Sequence, residues 1–110
     1  MKEIKKERLS SIVRDTIAQF FKEELDLPVG CIVSISKVML SKRATDALLY
    51  ISVYPEKFGK GVEKRAKMLE NKAVRYIKSH LALKHTLQIR FELDLGEQAR
   101  EHIEKILNSS

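Results

Sequence analysis

Lys60, Lys64, Lys67, Arg75 and Lys78 pose the first chemical question in this sequence. At about 100° per residue these five cations project within one narrow arc of a helix, while Glu63 and Glu70 fall to one side. Like charges aligned this way repel, and no acid is interleaved within the arc itself to offset them. A ridge of this kind is suited to holding a polyanion, whose bound counterions are released on contact. Arg65 and Lys72 flank the ridge, and Lys84 and His85 continue it past the helix end. Two smaller basic groups are further candidates: Lys5, Lys6 and Arg8 near the chain start, and Lys42 with Arg43 in a polar stretch between two apolar runs.

Catalytic chemistry finds no comparable constellation. His80, His85 and His102 fall on separate elements, and Cys31 opens an apolar run, so no metal-ligand spacing arises and Cys31 reads as a small buried apolar residue. Gly59-Lys60-Gly61 precedes a helix but lacks the longer glycine spacing and the Lys-Ser/Thr pair of a phosphate-binding loop. No carboxylate pair stands in an acid and base arrangement. The expectation is a protein with no catalytic residue, no metal, no cofactor and no small-molecule substrate.

The elements that must position the cations follow from apolar periodicity. Leu9, Ile12, Val13, Ile17, Phe20 and Phe21 mark one face of a long first helix over 7–25, which Pro28 and Gly30 end. Residues 31–40 are rich in β-branched side chains and 47–54 alternate, with Ala47, Leu49, Ile51 and Val53 on one face and Leu48, Tyr50, Ser52 and Tyr54 on the other. The polar stretch 41–46 between them is a hairpin loop. Val62, Ala66, Leu69, Ala73, Ile77 and Leu81 predict one second helix, which carries the cationic ridge. Leu87, Ile89, Phe91 and Leu93 then alternate with polar residues in a third strand, and Ala99, Ile103, Ile106 and Leu107 predict a last short helix beyond Gly96. The order is αββαβα, an α+β sandwich of two layers in which helices cover one face of a three-stranded sheet.

Composition sets the bounds. A chain of 110 residues is the size of one domain, so residues 1–110 are read as a single unit. The 21 Lys plus Arg against 15 Asp plus Glu leave a formal charge of +6, which favours acidic partners. Aromatics make up 6% of the residues with no Trp, too few for a stacking platform, so contacts to backbone and shape fit a nucleic-acid ligand better. One cysteine excludes an internal disulfide and suits a reducing cytoplasm. The charged N-terminus does not read as a signal peptide, no apolar run reaches the roughly 20 residues of a membrane span, and a monomer is the default.

Read in order, these elements resemble the ribosome-binding factor A family over nearly the whole chain. The resemblance rests on the basic opening Lys5-Lys6-Glu7-Arg8-Leu9 with its long helix, the hairpin Ile32-Val33-Ser34-Ile35-Ser36-Lys37-Val38-Met39-Leu40-Ser41, and the strand Ala47-Leu48-Leu49-Tyr50-Ile51-Ser52-Val53. It rests also on Asn71-Lys72-Ala73-Val74-Arg75-Tyr76-Ile77-Lys78-Ser79-His80-Leu81, followed by Leu-x-Ile-x-Phe-x-Leu-Asp from Leu87. It implies a KH-like domain of the second type in which an interrupted helix with an Ala-x-Gly kink replaces the usual Gly-x-x-Gly loop. That kink maps to Ala73-Val74-Arg75, with Arg75 where the family has glycine. The resemblance further implies binding to the small ribosomal subunit (30S) and its 16S rRNA, help in late subunit maturation and in processing the precursor 5′ end, and a role in cold adaptation. The alternative is a protein-binding adaptor that makes no RNA contact and docks through Leu48, Tyr50 and Tyr54 if that face of the sheet is exposed.

Overall fold

The structure is a computed structural model and describes residues 5–96 and 104–108. Helix α1 spans Lys6–Glu24, and strands β1 (Ile32–Leu40) and β2 (Asp46–Tyr54) follow as an antiparallel hairpin. A short 3-10 turn at Glu56–Phe58 leads into α2 (Gly59–Met68) and α3 (Glu70–His80), and β3 (Gln88–Leu93) then pairs parallel to β2. The sheet order is β1-β2-β3, with β2 central. Residues 104–108 are helical. Of the residues predicted to line that last helix, Ile106 and Leu107 are in this segment, whereas Ala99 and Ile103 lie outside the described residues.

The core sits between the sheet and the three helices, as the apolar stripes require. Val13, Ile17 and Phe20 of α1, Leu49 and Ile51 of β2, Phe91 of β3 and Ala66 and Ala73 of the two later helices are all fully buried. The two alanines matter for their size, because a helix can approach a sheet closely where its facing side chain is one methyl. Phe21 meets Phe91 with ring centroids 4.9 Å apart and Phe20 meets Tyr76 at 5.1 Å, so the first helix is locked to both β3 and α3 by tilted aromatic pairs.

A bulge explains the broken alternation of the first strand. The register shifts between Ile35 and Lys37, leaving Ser36 as the extra residue. Before the bulge Val33 and Ile35 pack on the core; after it Val38 and Leu40 do, and Lys37 and Met39 are turned to the other face. That other face is partly covered: Leu107 packs with Leu48 and Tyr50, and Lys37 Nζ donates to both carboxylate oxygens of Glu104 at 3.0 and 3.1 Å. Leu48 and Tyr50 are therefore buried, and of the three aromatic or aliphatic anchors proposed for an adaptor only Tyr54 is exposed.

The single second helix predicted from the sequence is two helices. Leu69 adopts φ −98°, ψ 4°, outside the helical region, and its amide donates to Ala66 O at 2.9 Å in a tightened last turn of α2. Helical bonding resumes at once, with Ala73 N donating to Leu69 O at 2.8 Å. The interruption is thus at Leu69 and not at Ala73-Val74-Arg75, where Arg75 lies inside α3. Arginine is a good helix former, so nothing at Arg75 favours a break. Neither glycine nor proline marks Leu69. Glu63 Oε2 accepts the Leu93 amide at 2.7 Å and Glu70 Oε2 accepts the Phe91 amide at 2.8 Å, so carboxylates on both sides of the kink hold the two helices against the outer edge of β3.

Candidate nucleic-acid interface

Strand register places the cations. At one end of the sheet β2 and β3 begin together, with Asp46 paired to Gln88, and β1 ends, with Leu40 paired to Ala47. The hairpin loop carrying Lys42 and Arg43 closes that end, and the segment carrying Lys84 and His85 enters β3 there. Lys78 lies in the last turns of α3, which feeds the same segment, and lines a cleft together with Lys84 and His85. Helix α1 runs antiparallel to α3, since Lys72 pairs with Glu24 whereas the later Tyr76 packs on the earlier Phe20. Its first turn, with Lys5, Lys6 and Arg8 exposed, therefore extends past the end of α3 toward this same pole.

The hairpin tip is an ordered presentation of charge. Ser41 Oγ accepts the amides of Thr45 and Asp46 at 3.2 and 3.0 Å, the Ala44 amide donates to Ser41 O at 2.9 Å, and Ala44 takes a left-handed φ of 54°. Lys42 and Arg43 ride on top of this turn and are exposed. The serine is what pins them: a short side chain satisfying local amides fixes a loop that would otherwise have no reason to hold one shape.

The helix ridge is divided. Lys60 and Lys64 are exposed on the first part of α2, which lies at the opposite end of the sheet, since a Cβ placed on Gly59 would sit 3.0 Å from Leu93 Cδ2. Lys67 is drawn away by acids, its Nζ lying 3.2 Å from Glu92 and 3.8 Å from Glu63. Lys72 donates to Glu24 at 2.8 Å, and Arg65 of the flank donates to the Asp26 carbonyl at 2.8 Å. Arg75 remains on the exposed face of α3 between the two ends. The projection that united Lys60, Lys64, Lys67, Arg75 and Lys78 assumed one continuous helix, and the kink at Leu69 removes that phase relation. Structure brings together Lys42, Arg43, Lys78, Lys84 and His85 and places the start of α1 toward them; Lys60 and Lys64 stand apart.

Arg90 is a cation that the sequence reading passed over. It is exposed on β3 opposite Leu48, and its polar position in the alternation was the available signal. Among the described residues no group of three or more His, Cys, Asp or Glu side chains converges to hold a metal, and no helix is long and apolar enough to cross a membrane. Cys31 is half-buried, not enclosed as a core residue would be.

The sequence matches the family model for ribosome-binding factor A over residues 5–107. The chain belongs to that family. A ribosome-binding factor A from Caldicellulosiruptor bescii is 32% identical over 107 residues, covering 93% of this chain and 80% of the relative. The crystal structure of ribosome-binding factor A from Thermus thermophilus superposes with a TM-score of 0.70 at 16% identity, over 81% of this chain and 94% of that one. A solution structure of a Thermotoga maritima protein assigned to the same family gives a TM-score of 0.69 at 22% identity, over 82% and 87% of the two chains. The fold is accordingly the α+β, KH-like fold of ribosome-binding factor A, and the resemblance seen in the sequence motifs holds.

Proposed function

We propose that this family member is a ribosome assembly factor that binds the small ribosomal subunit and its 16S rRNA, assists late maturation and 5′-end processing of the precursor, and catalyses no reaction itself. It works as one domain and one copy, in the cytoplasm, and its contribution is largest in the cold. The observation that carries this reading is the basic pole: an ordered hairpin tip, the end of α3 and the entry to β3 present Lys42, Arg43, Lys78, Lys84 and His85 at one end of the sheet. Lys5, Lys6 and Arg8 extend the pole, and Arg75 adds a cation on α3. Lys60, Lys64, Lys67 and Lys72 are secondary contacts, the last two after release from their carboxylate partners. Such a surface recognises phosphate positions and shape and leaves base sequence unread.

The test is genetic and biochemical together. Cells depleted of the chain accumulate small-subunit rRNA with an unprocessed 5′ end, more so at low temperature, and the wild-type chain restores processing while a Lys42→Ala/Arg43→Ala variant does not. Purified chain leaves naked precursor RNA intact. Full rescue by the double variant would remove the hairpin tip from the function, and cleavage by the purified chain would make it a nuclease.

A further inference from the structure

The cleft at the basic pole has features that phosphate binding alone does not use. It is a half-open depression of about 400 Å³ between the last turns of α3 and the irregular segment 81–87, a size within the usual range of roughly 300–1,000 Å³ for small-ligand sites. Its accessible apolar part is Leu81 and Leu83, both half-buried, whereas Ile77 and Leu87 behind them are buried at 1% and 2% exposure. Its rim is cationic and polar, formed by Lys78, Lys84, His85 and Thr86. An inorganic anion gains nothing from the Leu81 and Leu83 side chains, because it must shed water against groups that cannot hydrogen-bond. A ligand with an apolar planar face, polar edges and an attached phosphate uses both parts.

We infer that this cleft holds one unpaired nucleotide of the bound RNA, with its base against Leu81 and Leu83 and its phosphate toward Lys78 and Lys84. His85 at the rim supplies a ring on which the base can stack, and Thr86 with the peptide groups of 81–87, which belong to no helix or strand, faces its polar edge. The nucleotide must be unpaired because bases in a duplex have both faces covered by neighbours. Lys42 and Arg43 at the same end of the sheet hold the flanking backbone. This deepens the RNA-binding reading and rests on it: it adds a single-strand pocket to a surface that otherwise reads only phosphate.

The experiment is an NMR titration of the full chain with each nucleoside 5′-monophosphate and, separately, with inorganic phosphate. Saturable shifts of the Leu81 and Leu83 methyls and the 81–87 amides with mononucleotides, weaker or absent with inorganic phosphate, are expected. Ala82→Phe, which fills the cleft from its lining without removing a charge, abolishes those shifts while amides elsewhere stay in place. No clustered shifts with mononucleotides, equal shifts with inorganic phosphate, or persistence of the shifts in Ala82→Phe each overturns the pocket. Because the titration uses no ribosome, such a failure leaves the subunit-binding reading standing. Conversely, a wild-type chain that fails to bind small subunits sinks that reading by a separate measurement.

Discussion

Glu70 Oε2 accepts the backbone amide proton of Phe91 at 2.8 Å, and through that bond a helix on one side of a kink closes the open edge of a sheet. Glu63, on the other side of the kink, does the same for Leu93 at 2.7 Å. In a parallel pair alternate amides of the edge strand point away from the partner, so Phe91 and Leu93 would otherwise present unpaired donors and a template for association. Hydrogen bonds with one charged partner contribute about 1.5–3 kcal/mol. Glu70→Ala is expected to destabilise the chain by about 1–3 kcal/mol in urea unfolding, and Glu70→Gln, which keeps an acceptor, by clearly less. Equal losses for the two variants would mean the carboxylate acts by charge alone.

The two carboxylates also show where sequence reasoning ended. Apolar periodicity located α1, all three strands and both faces of β2, because burial forces spacing and spacing is written in residue order. The interrupted helix was not legible in the same way. Residues 62–81 keep their apolar spacing of three and four straight through Leu69, and no glycine or proline interrupts it. Either side of the kink is tied to β3 by long-range bonds from Glu63 and Glu70, which periodicity does not encode. The ion pairs were equally hidden: Lys67 of the ridge and Lys72 of its flank face Glu92 and Glu24, partners distant in sequence. The grouping of Lys42 and Arg43 with Lys84 and His85 depends on β2 and β3 being parallel neighbours, a fact of topology. The extra residue Ser36 was likewise visible only as an imperfect alternation.

Tyr76 supplies a pH prediction. Its hydroxyl donates to Glu23 Oε2 at 2.5 Å, and this bond first, then burial and the charge of Glu23, raises its pKa above the usual value. The folded chain therefore holds this proton more tightly than the unfolded chain. The resulting stabilisation is complete below a pH of about 10, the ordinary tyrosine value, and is lost as pH rises through the folded-state pKa. The phenolate absorbance of wild type minus that of Tyr76→Phe isolates this titration. Its midpoint should lie above a pH of about 10 and move down in Glu23→Gln; a midpoint unaffected by Glu23→Gln would remove the hydrogen bond as its cause.

Two glycines should respond in opposite directions to alanine. Gly61 lies inside α2 with open space around its Cβ position, so Gly61→Ala is expected to stabilise by about 0.5–1 kcal/mol through helix propensity. Gly30 also has open space, but its φ of +80° is a conformation that alanine adopts at a cost, so Gly30→Ala should destabilise by about 1 kcal/mol. Thermal unfolding of the pair separates backbone strain from packing, since neither methyl meets a neighbour.

The cations divide into two classes by their present partners. Removing Lys42 or Arg43 should lower the salt dependence of RNA affinity by about one unit of slope each, because each releases its own counterion on binding. Lys67→Ala and Lys72→Ala should change the slope by less, since both lysines are already neutralised by Glu92 and Glu24. Fluorescence anisotropy on one small-subunit rRNA fragment across a salt series reads all four, and a larger slope change for the second pair would reverse the assignment.

The most direct measurement is co-sedimentation of the purified chain with immature small subunits, mature small subunits and large subunits across a salt series. The account predicts preferential binding to small subunits, strongest to immature ones, that weakens steeply with salt and is reduced in Lys42→Ala/Arg43→Ala. Absence of small-subunit binding at low salt, or binding that is indifferent to salt and to the hairpin tip, would contradict it.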